Sequence, residues 1–161
     1  MMTLEPIGII RTPYQDMAPF QPQEDDAQEF YLELNPSFQE ALDGLDAFRY
    51  IYVLFHIDRL SRPLKMRVSP PWAKGRTVGL FASRSPVRPN PIGLSVVRIK
   101  KIEGLRVYTS GLDVFDKTPL LDIKPYIKDL DTKLDANYGW LDQPEERDHL
   151  VKHIKGVPHS H

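Results

Sequence analysis

The sequence contains no cysteine among its 161 residues. Disulfide bonds, thiolate nucleophiles, cysteine-ligated zinc and iron–sulfur clusters are therefore excluded together. No apolar run approaches the length of a membrane span, and the N-terminus lacks the basic and then apolar stretch of a signal peptide. We therefore expect a cytoplasmic protein that does not cross a membrane.

The nine glycines do not form any common nucleotide-binding motif. Neither G-x-G-x-x-G nor G-x-x-x-x-G-K-[ST] occurs, which disfavours a Rossmann site and a P-loop. A G-x-S-x-G motif is also absent, so the sequence gives no support for an α/β-hydrolase. His149 and His153 are four residues apart near the C-terminus, but we predict no metal site there.

Charge is distributed unevenly along the chain, although the net charge is only −1. Residues 62–106 contain eleven lysines and arginines and a single acid, which gives about +10. Residues 1–61 sum to about −8 and residues 107–161 to about −3. A basic block between acidic ends predicts a nucleic-acid-binding surface. The alternative is that folding places acids among these cations and cancels their field.

The pattern of apolar residues predicts a mainly β protein that forms a single domain. Residues 48–57 are apolar almost throughout, which favours a strand buried on both faces, with His56 as a core histidine. Asn35 as N-cap and Pro36 at the first helical position predict a short helix that ends at Leu42. A second helix is predicted from Pro144 to about residue 155, while residues 15–28 and 129–139 read as irregular. Strands are predicted over residues 4–11, 30–34, 48–57, 66–69, 77–81, 92–102, 105–110 and 120–126.

The stretch from Phe81 to Gly93 combines stiffness with polarity. Its three prolines fix φ at about −65° and remove backbone donors, so neither a helix nor an inner strand fits. The resulting rigid loop carries Arg84, Arg88 and Asn90, and guanidinium groups are suited to carboxylates and phosphates. The stretch therefore predicts a ligand site. The alternative is that the prolines shape a corner of the sheet and the arginines pair with neighbouring acids.

Two acids, Asp113 and Asp116, lie in a predicted turn that follows the hairpin of residues 92–110. They add negative charge on a loop separate from the arginines. Taken together, the two loops suit a ligand that is anionic at one end and cationic at the other.

The run Gly79–Ser95 resembles the signature of the TrmO family, which is also called TsaA-like or YaeB-like. Its sequence is Gly-Leu-Phe-Ala-Ser-Arg-Ser-Pro-Val-Arg-Pro-Asn-Pro-Ile-Gly-Leu-Ser. Further residues agree in order, namely 7–14, 44–48, 112–113, 116, 118–119 and 121–126. The resemblance covers about residues 5–128, and the chain is similar to the shorter members of the family.

This resemblance implies a small single-sheet β-barrel that uses S-adenosylmethionine, is unrelated to the Rossmann methyltransferases and acts as a homodimer. It implies N6-methylation of threonylcarbamoyladenosine at position 37 of tRNA, beside the anticodon, so the expected partner is the anticodon loop. The barrel core is expected within residues 5–128 of one domain spanning residues 1–161. Residues 129–161 would form a C-terminal segment that contains the terminal helix.

Site residues follow from the resemblance by motif. A proton must leave N6 when the methyl group arrives, so a general base is expected, and Asp113 and Asp116 are the candidates. Substrate or RNA contacts are predicted for Arg88, Asn90, Lys124 and Tyr126, the last by stacking on a base. The cofactor contacts are predicted to be Gln21, Pro22, Gln23, Asp58, Arg59, Arg84, Leu94, Gly111, Leu112, Asp113 and Val114.

Two positions depart from the family pattern. Asp58 stands where the family usually has histidine, and Lys117 replaces the glycine of an Asp-Gly-Thr-Pro pattern, where it adds a cation and disfavours a turn with positive φ. These departures leave two alternatives open. The chain could methylate another RNA or a small molecule, or it could be a non-catalytic module that binds S-adenosylmethionine or RNA.

Overall fold

The computed structural model describes residues 1–19, 27–73, 75–142 and 151. The chain divides into two compact units. The first contains Met1–Asp58 and Ile92–Thr132, and the second contains Arg59–Pro91 and Lys133–His161. The predicted helix over residues 144–155 lies outside the described residues except for Val151. The single-domain organisation stays a prediction.

The first unit is built on a six-stranded antiparallel sheet, as the mainly β prediction required. Within the described residues the strands are β1 (Gly8–Arg11), β2 (Tyr31–Leu34), β3 (Tyr50–His56), β4 (Arg67–Val68), β5 (Val78–Gly79), β6 (Ile92–Glu103), β7 (Arg106–Thr109) and β8 (Thr118–Pro125). The hydrogen-bonded order in the sheet is β1-β2-β7-β6-β3-β8, and β8 pairs with β1, so the sheet closes. Strands β4 and β5 belong to the second unit, where they pair only with each other.

Strand β3 lies between β6 and β8 and shows how the core is formed. Its residues Ile51, Val53 and Phe55 are buried, and the residues between them are half-buried. The prediction of burial on both faces was therefore wrong, because alternate side chains point to opposite faces of a strand and only one face of this strand meets the core. His56 at the end of the strand is exposed rather than a core residue.

The core itself combines residues from all six strands of this sheet with residues of the loops beside them. Its largest fully buried side chain is Phe30, just before β2. Burial of such apolar surface is the main favourable term in folding. The buried cluster consists of Ile10, Phe30, Leu32, Leu34, Leu42, Ile51, Val53, Phe55, Val97, Val107, Leu112, Val114 and Leu120.

Strand β6 requires a glycine at the point where the Phe55 ring of the neighbouring strand β3 lies against its backbone. Gly93 pairs with Phe55, and a Cβ atom at Gly93 would lie 2.1 Å from the Phe55 ring. Such a contact is far shorter than van der Waals distance. The glycine in the Pro-Ile-Gly motif therefore lets the aromatic ring lie over the backbone of β6.

The helices of the described residues are short. The predicted helix at Pro36–Leu42 is present with Pro36 in its first turn, but it is a 3-10 helix and the Asn35 side chain makes no capping hydrogen bond. Other 3-10 helices are Leu45–Ala47, Pro71–Ala73, Leu80–Ala82 and Gly139–Asp142, and the α-helix α1 spans Lys128–Asp131. Sequence analysis missed α1 within the acidic stretch after β8. No helix among the residues that the structure describes has the length and hydropathy that crossing a membrane would require.

A buried carboxylate joins the end of β1 to the turn before β8. The Asp116 Oδ1 atom accepts hydrogen bonds from Arg11 Nε at 2.8 Å and from the Thr12 backbone N–H at 3.0 Å. The Asp116 N–H donates to the Tyr14 carbonyl at 2.7 Å. Burial alone would raise the pKa of Asp116, but the hydrogen bonds from Arg11 and Thr12 outweigh it and lower this pKa. The charged form of Asp116 thus stabilises the junction between the two strands.

Lys117 follows in a left-handed conformation with φ of 67°. It is the one residue other than glycine with positive φ among the residues described. Its N–H donates to the Ile10 carbonyl at 2.8 Å, next to the β1–β8 pairing. The turn that glycine would favour is therefore retained by lysine, at a conformational cost.

We predict that Asp116→Asn lowers the free energy of unfolding by roughly 1–3 kcal/mol at pH 7, because it removes the carboxylate charge that accepts the hydrogen bond of Arg11 Nε at this junction. The pKa is lowered in the folded state, so this stabilisation is present above the pKa of an unfolded aspartate, about 4, and is lost as pH falls through the folded value. Urea unfolding of both proteins at pH 7 and at about pH 3 measures the difference, which should shrink in acid. The exposed Asp46→Asn is the control, and equal losses in the two variants would contradict the prediction.

We predict that Lys117→Gly raises the free energy of unfolding by roughly 1 kcal/mol, since glycine adopts positive φ without a Cβ penalty. Lys117→Ala removes the same charge but keeps the unfavourable conformation, so it should change stability by a few tenths of a kcal/mol at most. Urea unfolding compares the variants, and an equal effect of the two substitutions would show that charge rather than conformation matters.

Candidate functional site

The loop of residues 81–91, here called the polar loop, lies between β5 and β6 and is held in shape by its own side chains. The 3-10 helix Leu80–Ala82 anchors it through the buried Leu80. Ser83 Oγ donates to the Leu80 carbonyl at 2.8 Å and accepts from the Ser85 N–H at 3.3 Å. These bonds satisfy backbone groups that a proline-rich segment cannot satisfy by regular secondary structure.

Arg88 binds within this loop. Its Nη1 atom donates to the carbonyls of Ser83 at 2.9 Å, Ser85 at 3.2 Å and Leu80 at 3.4 Å. Its guanidinium carbon also lies 5.8 Å from the centre of the Phe81 ring. Sequence analysis predicted Arg88 as a substrate or RNA contact, but these bonds give it a role in fixing the loop.

Arg84 behaves differently from Arg88. Its side chain is exposed, and it has no hydrogen-bond or ion-pair partner in the part of the chain that the structure describes. Asn90 is exposed on the same loop. A rigid loop therefore presents a permanently charged fork, which is what recognition of a carboxylate or a phosphate requires.

Sequence analysis missed the role of Trp140 in the second unit. Its Nε1 atom donates to the Ala82 carbonyl at 2.7 Å, and its own carbonyl accepts from Arg76 Nη1 at 3.0 Å. The 3-10 helix Gly139–Asp142 is thus attached to the start of the polar loop. Nothing in the local sequence could have shown this contact, because 58 residues separate the two partners.

The segment after β7 belongs to the first unit and alternates in burial. Gly111, Leu112 and Val114 are buried, and the last two side chains pack in the core. They cannot offer side chains to a ligand, so any cofactor contact there would use the backbone. Asp113, between the buried residues, is half-buried.

The two candidates for a general base differ in their surroundings. The Asp116 carboxylate accepts hydrogen bonds from Arg11 and Thr12, and its lowered pKa makes it a weaker base. This geometry favours a structural role for Asp116. The role of Asp113 as a general base stays a prediction.

Two further predicted cofactor contacts lie where the chain passes from one unit to the next, and a third lies on the outer face of the sheet. Asp58 and Arg59 are exposed, and the chain passes from the first unit to the second between them. Leu94 is 52% exposed on β6 and pairs with Leu54 of β3. The predicted contacts Gln21, Pro22 and Gln23 lie outside the described residues.

The predicted RNA contacts Lys124 and Tyr126 lie at the end of β8 beside two tyrosines of β3. The Tyr126 ring is 5.5 Å from that of Tyr52 and 6.4 Å from that of Tyr50. The Arg98 guanidinium carbon lies 4.6 Å from the centre of the Tyr50 ring, and Arg98 also donates a hydrogen bond to the Tyr50 hydroxyl. The structure therefore adds two aromatic rings and an arginine to the predicted pair, from strands that sequence analysis could not assign as neighbours.

Charge on this surface is balanced locally. Lys124 forms an ion pair with Asp122 at 3.1 Å. Partial burial and the nearby Asp131 raise the pKa of Tyr52, so its hydroxyl keeps its proton at neutral pH. Among the residues described, no group of three or more histidines or carboxylates is placed to hold a metal ion.

The chain is similar to known proteins in sequence and in structure. A family model described as the tRNA-methyltransferase O N-terminal domain matches residues 9–132. A probable S-adenosyl-L-methionine-binding protein of Pyrococcus abyssi is 36% identical over 145 residues, which cover 89% of this chain and 78% of that protein. A tRNA (adenine(37)-N6)-methyltransferase of Mus musculus is 44% identical over 95 residues, which cover 58% of this chain but only 22% of the mouse protein.

A solved structure is similar as well. The crystal structure of TrmO from Pseudomonas aeruginosa superposes with a TM-score of 0.70 at 37% sequence identity, covering 86% of this chain and 62% of that one. The family model spans most of the first unit and the polar loop of the second. The chain therefore belongs to the TrmO family.

Proposed function

We propose that this chain is an S-adenosylmethionine-dependent methyltransferase that acts on tRNA. The observation that carries the proposal is the exposed Arg84 on a loop whose shape Arg88 fixes from within. An exposed arginine that is held by a rigid segment is preorganised for an anionic group of a ligand. Relatives named for S-adenosylmethionine binding and for tRNA methylation support the choice of ligand and substrate.

The residues of the chain fit the cofactor in charge. S-adenosylmethionine carries a carboxylate, which the Arg84 guanidinium would bind through paired hydrogen bonds. When bound, the cofactor supplies an electrophilic methyl group on a sulfonium centre. The protein's contribution is then mainly to position the acceptor nitrogen, which can lower the barrier by on the order of 7–11 kcal/mol at best.

For proton removal we propose Asp113 rather than Asp116. Asp116 accepts hydrogen bonds from Arg11 and the Thr12 N–H and its pKa is lowered, which favours a structural role. Asp113 is half-buried on the segment that is proposed to contact the cofactor. The backbone of residues 111–114 stays a proposed cofactor contact, as do Leu94, Asp58 and Arg59. We propose that the anticodon loop contacts Lys124 and Tyr126. Tyr50 and Tyr52 lie beside Tyr126 and would add to this contact, since unstacked bases bind to aromatic rings.

The finer parts of the function are proposals of the same kind. We propose that the acceptor is N6 of threonylcarbamoyladenosine at position 37, that the enzyme is a homodimer, and that it works in the cytoplasm, where tRNA is modified. We also propose that the closed sheet of the first unit is the family's small β-barrel, since its strand order closes through β8 and β1.

A second function keeps the cofactor but changes the substrate. Lys117 is exposed and holds the turn in a glycine-like conformation, so the turn survives while a cation is added. Together with Asp58 in place of histidine, this change supports another RNA or a small molecule as the acceptor. A non-catalytic binding module is the third reading, and relatives named only for cofactor binding are consistent with it.

We predict that Arg84→Ala weakens S-adenosylmethionine binding about 10- to 100-fold, because a charged hydrogen bond contributes roughly 1.5–3 kcal/mol. Calorimetric titration of the cofactor into the wild type and the variant measures this loss. Arg62→Ala, which removes another exposed arginine of the second unit, should leave the affinity unchanged. Equal affinities for the two variants would remove Arg84 from the cofactor site, and no binding to the wild type would overturn the methyltransferase proposal.

We predict that the purified protein transfers a methyl group to tRNA that carries threonylcarbamoyladenosine and not to tRNA lacking this modification. Mass spectrometry of the nucleosides after incubation with S-adenosylmethionine measures the product. Methylation of unmodified adenosine at the same rate would retain the tRNA methyltransferase but reject the threonylcarbamoyl specificity. Cofactor binding without methylation of either tRNA would favour the other two functions.

A further inference from the structure

The outer face of β2 and β7 carries two stacked tyrosines. Tyr31 and Tyr108 are direct partners in the antiparallel register, and their ring centres are 5.2 Å apart at an angle of 39°. Both are half-buried, while their neighbours Leu32 and Val107 are fully buried. Because side chains alternate along a strand, the two tyrosines lie on the side away from the core.

Cations stack on both rings. The Arg106 guanidinium carbon lies 4.9 Å from the centre of the Tyr31 ring, and the Lys101 ammonium lies 4.6 Å from that of Tyr108. Arg11 approaches the Tyr31 ring from 5.9 Å. Interaction with the Tyr108 hydroxyl raises the pKa of Arg106 further above its ordinary range, so this cation stays charged at any accessible pH.

Two acids lie on the same face. Glu33 is 3.7 Å from Arg11, and Glu103 is 3.2 Å from Lys101. The Arg11–Glu33 pair is half-buried, but the Lys101–Glu103 pair is exposed. An exposed pair contributes little to stability, so Lys101 can exchange this carboxylate for another anion. Arg106 and Lys101 are themselves exposed. The face defined by Tyr31, Tyr108, Arg106 and Lys101 is here called the tyrosine–cation face.

The chemistry of this face selects one class of ligand. Adjacent aromatic rings on an antiparallel sheet, flanked by cations, are how many proteins hold single-stranded nucleic acid, with bases on the rings or guanidinium planes and phosphates on the cations. A duplex hides its base faces in stacking and would use only the cations. An anionic peptide would likewise leave the ring faces without a matching partner.

We propose that the tyrosine–cation face binds a single-stranded segment of an RNA ligand. Tyr31 and Tyr108 supply stacking surface for bases, and Arg106 and Lys101 contact the phosphates between them. The proposal rests on the proposed function, because it takes RNA as the substrate, and it adds a contact surface whose four residues are not among the predicted site residues.

Fluorescence anisotropy with a labelled single-stranded oligoribonucleotide of mixed sequence tests the proposal. We expect Tyr31→Leu combined with Tyr108→Leu to weaken binding at least 10-fold, whereas Tyr31→Phe with Tyr108→Phe, which keeps both rings, should stay within about 2-fold of the wild type. Urea unfolding of each variant establishes that the sheet is intact. Binding by the leucine variant at wild-type affinity would overturn the proposal.

Charge substitutions give a second, independent readout. Lys101→Gln should weaken binding and reduce the dependence of log affinity on log salt by about 0.7 for each phosphate that the protein no longer neutralises. Glu103→Gln should instead strengthen binding, since it removes a competing carboxylate. A weaker complex with Glu103→Gln, or equal affinity for duplex and single-stranded RNA, would contradict a single-strand site on this face.

The proposed function and this inference fail in different ways. If cofactor binding and tRNA methylation are present but the tyrosine variants bind RNA like the wild type, the inference fails alone. If the tyrosine-dependent RNA complex forms but no cofactor binds, the methyltransferase proposal fails and the RNA surface stands.

Discussion

The pairing of β1 with β8 is the interaction on which the first unit depends. It joins the first strand of the sheet to the last, and the charged Asp116 fixes the junction through Arg11 and the Thr12 N–H. The segment 111–118 reaches its position because this junction holds one end and β7 holds the other. Asp113 is therefore placed by the closure of the sheet, since its flanking side chains Leu112 and Val114 pack in the core.

In the second unit, the polar loop is rigid although it has no regular secondary structure. Prolines restrict its backbone, and Ser83 and Arg88 hydrogen-bond to its carbonyl groups. Trp140 adds a contact from a distant part of the chain. The two arginines of the motif therefore differ, since Arg88 holds the shape of the loop and Arg84 is exposed, as the proposed function requires.

Cations stack on tyrosine rings at three places in the first unit, namely Tyr31, Tyr50 and Tyr108. The basic block of residues 62–106 divides between the two units, and acids such as Glu33 and Glu103 lie among its cations and those of β1. The alternative considered for the charge pattern, interleaving of acids and bases, therefore describes part of what folding does. The feature that this interleaving does not explain is the placement of aromatic rings beside arginine and lysine on neighbouring strands.

Much of this protein was predictable from residue type and order, because local patterns have local causes. Alternating apolar residues gave the strands to within a few residues, and Pro36 marked a helix start. The motif around Arg84 indicated the family, which the comparisons confirmed. The tertiary structure decided what depends on distant contacts: that Asp116 accepts a hydrogen bond from Arg11, and that Tyr31 stacks on Tyr108. A sequence specifies which groups a chain carries, but strand register, which places residues 77 or 105 positions apart within contact distance, determines their partners.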